Sequence, residues 1–248
     1  MNVKDVTLLM TRPDELTTPL AHHLSEKDLQ ILQEPLLQVL PLADPNLFID
    51  VAKQVPKEAW AIFVSPTAAC FASALWHQFL GDWPSTFKFA AVGQSTARVL
   101  HEKGITHVLY PKGDSGAQAL FALLDAENLY GKTMAVFRAT KGKPMLLQLL
   151  QRKGAIPLAV PCYERRLGDI AKALTKLCQY SGRKVIICTS SELARAMLLY
   201  DRLLIENKVL VLANHPQIAA IFSEKNVTTK LLDSMNPVAI LDKIKENP

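Results

Sequence analysis

The sequence predicts an α/β fold of two similar domains, each with a parallel sheet flanked by helices. Short apolar runs of strand type alternate with helices of about two or three turns, which is typical of parallel sheets covered on both faces. The alternation occurs twice, since Phe63–Ala68 matches Cys188–Leu193 and Ala97–Gly104 matches Ala219–Asn226. Two units of similar size and element order therefore account for the chain.

The first part of the chain contains apolar runs that end at turn residues and predict strands. These runs are Val6–Met10, Leu29–Leu32, Trp60–Val64, Phe89–Val92, Val108–Tyr110, Met134–Phe137 and Ile156–Val160. Helix-opening residues such as Thr17-Thr18-Pro19 and Ser65-Pro66 begin several of the segments between them. The predicted helices are Thr17–Leu24, 44–54, 65–80, a segment after Gly93, 117–124 and Met145–Lys153.

Three segments of this part are predicted not to be helical. Prolines bound residues 35–41, which favours an extended linker. Residues 111–117 form a polar loop, and Arg138–Lys143 a basic loop. The pattern then resumes, with helices at Ile170–Cys178, Leu193–Tyr200, Pro216–Lys225 and after Pro237, and strands at Val185–Cys188, Val209–Leu212 and Lys230–Leu232.

The stretch Phe89–Leu100 combines a strand, a glycine turn and a helix start. Gly93 permits the tight turn, and the next three residues, Gln94, Ser95 and Thr96, offer capping groups to the helix. Backbone N–H groups at such a helix start bind anions without a metal or a base. A second, degraded copy lies at Asn214–Ile218. His215 in this copy could reach a bound ligand, but we expect it to have a cap or loop role.

Composition excludes several classes of protein. The chain has 248 residues, 49% of them hydrophobic and 21% charged, and a net charge of +5, which is typical of a globular protein with an acidic partner. No basic run exceeds two residues, so we expect no nucleic-acid partner. No segment approaches the roughly 20 apolar residues of a membrane span, and the charged start lacks a signal peptide, so we expect a cytoplasmic protein without membrane contact.

No metal or cofactor motif is found. Gly131-Lys132-Thr133 lacks the earlier glycine of a phosphate loop and precedes a strand instead of following one. His22 and His23 have no partners at metal-ligand spacing. The four cysteines, Cys70, Cys162, Cys178 and Cys188, lie far apart and predict reduced core residues. We therefore expect no metal, no cofactor and, without heptads or long apolar surface runs, a monomer.

Hydroxyl groups and cations are concentrated at the ends of the predicted strands, where open parallel sheets bind ligands. Taken singly, each residue is explained as a helix cap or a solvated charge. Taken together, they favour a site for a polycarboxylate or polyphosphate. The hydroxyl-bearing residues include Thr11, Ser65, Ser95, Thr96, Ser115 and Ser190, and the cations include Arg12, Arg98, Arg138, Lys141 and Lys143.

The order and spacing of these motifs resemble those of the uroporphyrinogen-III synthase family along nearly the whole chain. The motifs that carry the resemblance are Thr11-Arg12-Pro13, Phe63–Ala68, Ala91–Ala97, Arg138 with Gly142, Tyr163-Glu164-Arg165 and Thr189–Glu192. The resemblance implies two α/β domains joined by a two-stranded linker, with the active site in the cleft between them. The domains would be 1–36 plus 166–248, and 41–160, with linker strands at about 36–40 and 160–165.

The resemblance also implies the reaction, a cofactor-independent lyase step in tetrapyrrole biosynthesis. Hydroxymethylbilane is cyclised to uroporphyrinogen III with inversion of ring D and loss of water. Tyr163 is the candidate catalytic residue, with a phenol that assists the leaving hydroxyl; the alternative is a structural tyrosine at the linker. The implied substrate-binding residues are Thr11, Arg12, Ser65, Gly93, Ser95, Thr96, Ser115, Arg138, Lys141 and Ser190.

A second hypothesis remains open. A non-catalytic two-domain protein that binds a small polyanion in its cleft would share the α/β build and the scarcity of acid–base residues.

Overall fold

The computed structural model describes residues 5–12, 14–124 and 127–246. Over these residues the strands are β1 (Val6–Met10), β2 (Gln30–Gln33), β3 (Leu37–Leu40), β4 (Trp60–Phe63), β5 (Lys88–Ala91), β6 (Val108–Leu109), β7 (Thr133–Ala139), β8 (Ile156–Leu167), β9 (Arg183–Cys188), β10 (Leu210–Ala213) and β11 (Thr229–Leu231). The helices are α1 (Asp14–Ser25), α2 (Asn46–Ala52), α3 (Pro66–Leu80), α4 (Gln94–Glu102), α5 (Ala117–Leu124), α6 (Met145–Arg152), α7 (Ile170–Cys178), α8 (Ser191–Met197), α9 (Asp201–Glu206), α10 (Pro216–Ser223) and α11 (Pro237–Lys245).

The chain divides into two compact units. Unit 1 combines Met1–Gln38 with Arg166–Pro248, and unit 2 is Val39–Arg165. The five-stranded sheet has the order β11-β10-β9-β1-β2, and the six-stranded sheet has the order β3-β8-β7-β4-β5-β6. Strands β1 and β9, and likewise β4 and β7, pair in parallel. The predicted α/β fold with helix-flanked, largely parallel sheets is confirmed.

The two sheets have the same spatial arrangement with a permuted chain order. In unit 1, β2-β1 lies beside β9-β10-β11, and in unit 2, β8-β7 lies beside β4-β5-β6. The two-strand part comes first in the sequence in unit 1, as β1 and β2, and last in unit 2, as β7 and β8. In both sheets the winding direction reverses at one point, between β1 and β9 or between β4 and β7. Open α/β sheets bind ligands outside the strand carboxyl ends at such a switch point.

Strand β4 illustrates why the sheets are buried on both faces. All four of its residues are buried, and successive side chains point to opposite faces of the sheet. Ala61 and Phe63 belong to the core that also contains Phe137 and Trp76. Trp60 and Ile62 belong to the core on the other face, together with Leu120 of α5 and Leu150 of α6. An uninterrupted apolar strand is therefore required here.

Several predicted boundaries were wrong. Strand β8 runs without a break from Ile156 to Leu167, so the predicted strand Ile156–Val160 and the predicted linker strand at about 160–165 are one strand. A bulge lies where this strand pairs with Ala139 of β7. Arg138 lies in β7 and not in a loop. Helix α1 begins at Asp14, so Pro19 lies inside the helix instead of in its first turn. Pro13, part of the first motif, lies outside the described residues.

The helix predicted at Leu193–Tyr200 was also wrong in its extent. It ends as an α-helix at Met197, continues as a 3₁₀ turn over Leu198–Tyr200, and is followed by α9, which was not predicted. The side chain of Asp201 at the start of α9 accepts a hydrogen bond from the backbone N–H of Arg202 at 2.7 Å.

The cysteines differ in exposure, which corrects the prediction that all four lie in the core. Cys162 and Cys188 are buried, Cys178 is half-buried and Cys70 is exposed. Burial raises the pKa of Cys162 to about 12 and the pKa of Cys188 to about 11. Burial also raises the pKa of Cys178.

Alkylation should follow this order. At pH 8, below the raised pKa values of Cys162 and Cys188, both thiols stay protonated and unreactive, since the thiolate is the nucleophile. We expect iodoacetamide to modify Cys70 of the native protein first, and Cys162 and Cys188 only in urea, as measured by peptide mass spectrometry. Modification of native Cys162 at the rate of Cys70 would contradict the structure.

Gly182 is required by its backbone and its surroundings. Its φ is +81°, and a Cβ there would lie 2.2 Å from the backbone oxygen of Asp5. Gly104 has a similar φ of +86° but no atom within 4 Å of an added Cβ. Substitution of these two glycines therefore separates two contributions to the free energy of unfolding. Gly104 reports the cost of the left-handed backbone alone, and Gly182 adds the cost of the collision with Asp5.

We expect Gly104→Ala to lower the free energy of unfolding by about 1 kcal/mol, the cost of a left-handed alanine. Gly182→Ala should cost about 3 kcal/mol, because the backbone at Asp5, just before β1, must also move. Urea unfolding of the two variants and the unsubstituted protein measures both values. Equal losses would show that the approach to Asp5 is not restrictive.

Candidate functional site

The candidate site lies in unit 2, at the switch point between β4 and β7. Phe63 at the end of β4 is the register partner of Phe137 in β7, so Ser65 and Arg138 follow at the same edge of the sheet. The backbone N–H of Val64 donates to the oxygen of Phe137 at 3.4 Å, which holds the two strand ends together. The sheet edge thus brings together a hydroxyl group and a guanidinium group.

Ser65 is held by its role as the N-cap of α3. Its backbone is extended, with φ −168° and ψ 161°, and Pro66 occupies the first helical position. The Oγ atom accepts a hydrogen bond from the backbone N–H of Ala68 at 3.0 Å. The phenol oxygen of Tyr163 lies 3.5 Å from the same Oγ. The cap therefore fixes the position of a hydroxyl pair.

A β-bulge brings Tyr163 to this position. Arg138 pairs with Pro161, but the next residue of β7, Ala139, pairs with Tyr163, so Cys162 is the extra residue. Because of this irregularity, Cys162 and Tyr163 both belong to the same core although they are adjacent in sequence. The Tyr163 ring stacks on Phe71 with centroids 5.7 Å apart, and its side chain is buried, with 5% exposure.

Arg138 carries a buried charge beside the tyrosine. Its exposure is 8%, and no carboxylate among the described residues forms an ion pair with its guanidinium. Burial lowers the pKa of Arg138, the charge of Arg165 lowers it further, and Tyr163 raises it. The turn after Arg138 closes through a hydrogen bond from Gly142 N–H to the oxygen of Ala139 at 3.1 Å.

The residues at the start of α4 do not cap the helix in the way that the sequence predicted. Gly93 is the N-cap of α4 and provides no side-chain cap, so the capping roles predicted for Gln94, Ser95 and Thr96 were wrong. Thr96 is buried, with 1% exposure. A Cβ on Gly93 would lie 2.8 Å from the Cβ of Ser115, so the glycine permits the loop of Ser115 to approach.

A surface pocket lies beside this helix in unit 2. Its volume is about 490 Å³, and it is lined by Gln94, Ser95, Arg98, His101 and Tyr110. Of the predicted site residues, Ser95 faces this pocket. Lys141 is exposed on the turn that follows Arg138.

Unit 1 carries a related arrangement at its own switch point. Ser190 is the N-cap of α8 and accepts from the N–H of Leu193 at 3.4 Å, as Ser65 does in unit 2. Thr11 is buried and donates to the oxygen of Ile187 at 2.8 Å, so its hydroxyl group already has an internal partner. Met10 pairs with Ile187, as Val136 pairs with Ile62. Arg12 follows Met10 by two residues and Arg138 follows Val136 by two residues, so Arg12 is the equivalent of Arg138 in unit 1.

The divergent turn before α10 is a helix cap. His215 is the N-cap residue, and its Nδ1 accepts a hydrogen bond from the backbone N–H of Gln217 at 3.1 Å. The predicted cap role is confirmed.

The described residues contain neither a cluster of metal-ligand side chains nor a membrane-spanning helix. Within residues 5–12, 14–124 and 127–246, no group of three or more His, Cys, Asp or Glu side chains is placed to hold a metal ion. No helix in the same part of the chain is long and apolar enough to cross a membrane.

Comparison with known structures supports the fold. A mutant uroporphyrinogen III synthase from the extremely thermophilic bacterium Thermus thermophilus is 18% identical, with a TM-score of 0.69 and coverage of 97% of both chains. Uroporphyrinogen-III synthetase from Helicobacter pylori is 17% identical, with a TM-score of 0.57 and coverage of 96% of this chain and 97% of that chain. At these identities the likeness shows the fold alone.

Comparison with known sequences gives the family. Uroporphyrinogen-III synthase of Proteus mirabilis is 23% identical over 164 residues, which are 66% of this chain and 82% of that protein. The Escherichia coli protein of the same name is 25% identical over 160 residues, 64% of this chain and 65% of that protein. The family model for uroporphyrinogen-III synthase HemD matches residues 18–234. Because this match covers most of the chain, the protein belongs to the uroporphyrinogen-III synthase family.

Proposed function

We propose that the protein is a lyase that cyclises hydroxymethylbilane to uroporphyrinogen III, with inversion of ring D and loss of water. The proposal rests on the family membership of residues 18–234. Within the molecule, it is supported by the hydroxyl pair of Ser65 and Tyr163 beside the buried cation Arg138. Cations and hydroxyl donors at a switch point are suited to a substrate rich in carboxylates.

The proposed role of Tyr163 is to donate a proton to the hydroxyl group that leaves. Ser65 already accepts from Ala68, so its own proton is available for the phenol oxygen of Tyr163 at 3.5 Å. With the serine as donor, the phenol proton is left for the substrate. A positioned proton donor of this kind contributes by general acid catalysis.

The proposed chemistry balances without an added reactant. The C–O bond of the hydroxymethyl group breaks, the phenol proton joins the leaving hydroxide, and water departs. The resulting azafulvenium cation is attacked by the substituted carbon of ring D, which gives a spiro intermediate that rearranges with inversion. The proton lost when the last pyrrole regains aromaticity returns to the phenolate. The leaving group belongs to the substrate itself, so the proposal includes no cofactor.

The remaining site residues are proposed as substrate contacts. Arg138 and Lys141 would bind carboxylates in unit 2, and Arg12 and Ser190 would do so in unit 1. Gly93, Ser95 and Thr96 would contribute through the backbone at the start of α4, since Thr96 is buried. Ser115 would contribute from the loop that approaches Gly93. Thr11 would contribute by its backbone, because its hydroxyl group is bonded to Ile187. We propose that units 1 and 2 are the two domains of a cytoplasmic monomer without nucleic-acid or membrane partners.

The proposed function predicts a specific isomer. When the preceding enzyme supplies hydroxymethylbilane in place, the protein should direct cyclisation to the type III product, because the site holds the chain with ring D in position for attack at its substituted carbon. Oxidation and chromatographic separation of the type I and type III porphyrins measures the ratio. A ratio equal to that of the reaction without protein would favour the alternative, a non-catalytic polyanion-binding protein.

The role of Tyr163 predicts a loss of turnover without a loss of binding. Tyr163→Phe retains the ring stacked on Phe71 but lacks the proton, so we expect kcat to fall by about a hundredfold with little change in KM. Tyr130→Phe is the matched control, because Tyr130 is 81% exposed and lies outside the proposed site. Full turnover by Tyr163→Phe with normal ring inversion would exclude the phenol as the proton donor.

A further inference from the structure

Gly142 lies where a side chain would collide with the buried guanidinium of Arg138. A Cβ built on Gly142 would be 2.5 Å from Nε, 2.8 Å from one Nη and 2.9 Å from Cζ of Arg138. Three atoms of the guanidinium therefore occupy the space that any other residue would fill. We propose that Gly142 is a positioning residue that seats Arg138 as an anchor for a substrate carboxylate, an inference that rests on the proposed function.

Hydrogen bonds to backbone atoms hold both residues of this contact. The oxygen of Arg138 accepts from the Sγ of Cys162 at 3.3 Å. The N–H of Thr140, in the turn between Arg138 and Gly142, donates to the oxygen of Tyr163 at 3.0 Å. The N–H of Gly142 donates back to Ala139. The turn is thus tied to β7 and β8, and cannot move away from the arginine without breaking these bonds.

The charges around Arg138 indicate the chemical class of ligand that its guanidinium would bind. A buried cation is costly without a partner of opposite charge. Within the described part of the chain no carboxylate pairs with Arg138, and the neighbouring charge that lowers its pKa is that of another arginine, Arg165. A carboxylate satisfies both the charge and the two-pronged donor geometry of a guanidinium.

The phenol of Tyr163 provides the link to the reaction. Arg138 and Tyr163 lie at neighbouring positions of the β7–β8 ladder, since Ala139 pairs with Tyr163, and Tyr163 raises the pKa of Arg138. A carboxylate held by Arg138 would therefore bind near the proposed proton donor. Correct seating of the guanidinium affects how the substrate is held, but it does not supply the proton.

The test compares Gly142→Ala with Gly113→Ala by steady-state kinetics with hydroxymethylbilane made in place. An added Cβ at Gly113 meets nothing within 4 Å, so this control should behave as the unsubstituted protein. Gly142→Ala displaces the guanidinium, and we expect KM to rise about tenfold, equivalent to one charged hydrogen bond. The value of kcat and the isomer ratio should stay within about twofold, in contrast to Tyr163→Phe.

A double-variant comparison distinguishes positioning from a general structural role. Arg138→Leu ends at Cδ, so it lacks the charge and the Nε, Cζ and Nη atoms that an added Cβ at Gly142 would meet, and it should raise KM to a similar degree. Adding Gly142→Ala to Arg138→Leu should then have little further effect, because no guanidinium remains to be displaced. Additive effects on KM, or a Gly142→Ala variant with unchanged KM, would overturn the inference.

Folding and function failures are separable in this design. If Gly142→Ala does not fold but the double variant does, the collision with Arg138 is the cause and the contact is supported. If neither folds, Gly142 serves the turn independently of Arg138 and the inference is overturned. A type I product from the unsubstituted protein would instead overturn the proposed function, on which the inference depends.

Discussion

The geometry of the candidate site depends on the bulge between β7 and β8. In a regular ladder, adjacent residues of a strand point to opposite faces of the sheet. With a regular register, Cys162 would oppose Ala139 and Tyr163 would point away from Ser65. The extra residue in β8 shifts Tyr163 into the position opposite Ala139. It then lies in the same core as Cys162 and stacks on Phe71, with its phenol at the cap of α3.

The permuted order of the two sheets explains why the site motifs are scattered along the sequence. Each switch point joins a strand that ends near an arginine to a strand followed by a capping serine. Arg138 and Ser65 form this pair in unit 2, and Arg12 and Ser190 form it in unit 1. The arginine comes first in the chain in unit 1 and last in unit 2. A search for one local motif therefore misses the pairing, although each residue taken singly stands at a strand end.

The sequence was sufficient for the features that depend on local pattern. The buried strands were found from apolar runs, and the caps Ser65 and Ser190 from the residue type before a helix. The burial of Arg138 was not predictable from local pattern. It depends on Gly142, which lies across the following turn, and on strand β8, which is more distant in the sequence. Burial of the Thr11 hydroxyl beside Ile187 is also a long-range contact. Long-range packing thus decided which predicted side chains can reach a ligand.

The site fits a reaction in which positioning matters more than acid–base strength. Hydroxymethylbilane carries its own leaving group, so the protein needs one proton donor and a means of holding a flexible, multiply charged chain. A buried guanidinium is suited to this second task, because it loses little freedom on binding when its seat is already fixed. Gly142 provides that seat by omitting a side chain. The absence of one methyl group at the turn would then contribute to substrate affinity as directly as the charge that contacts the carboxylate.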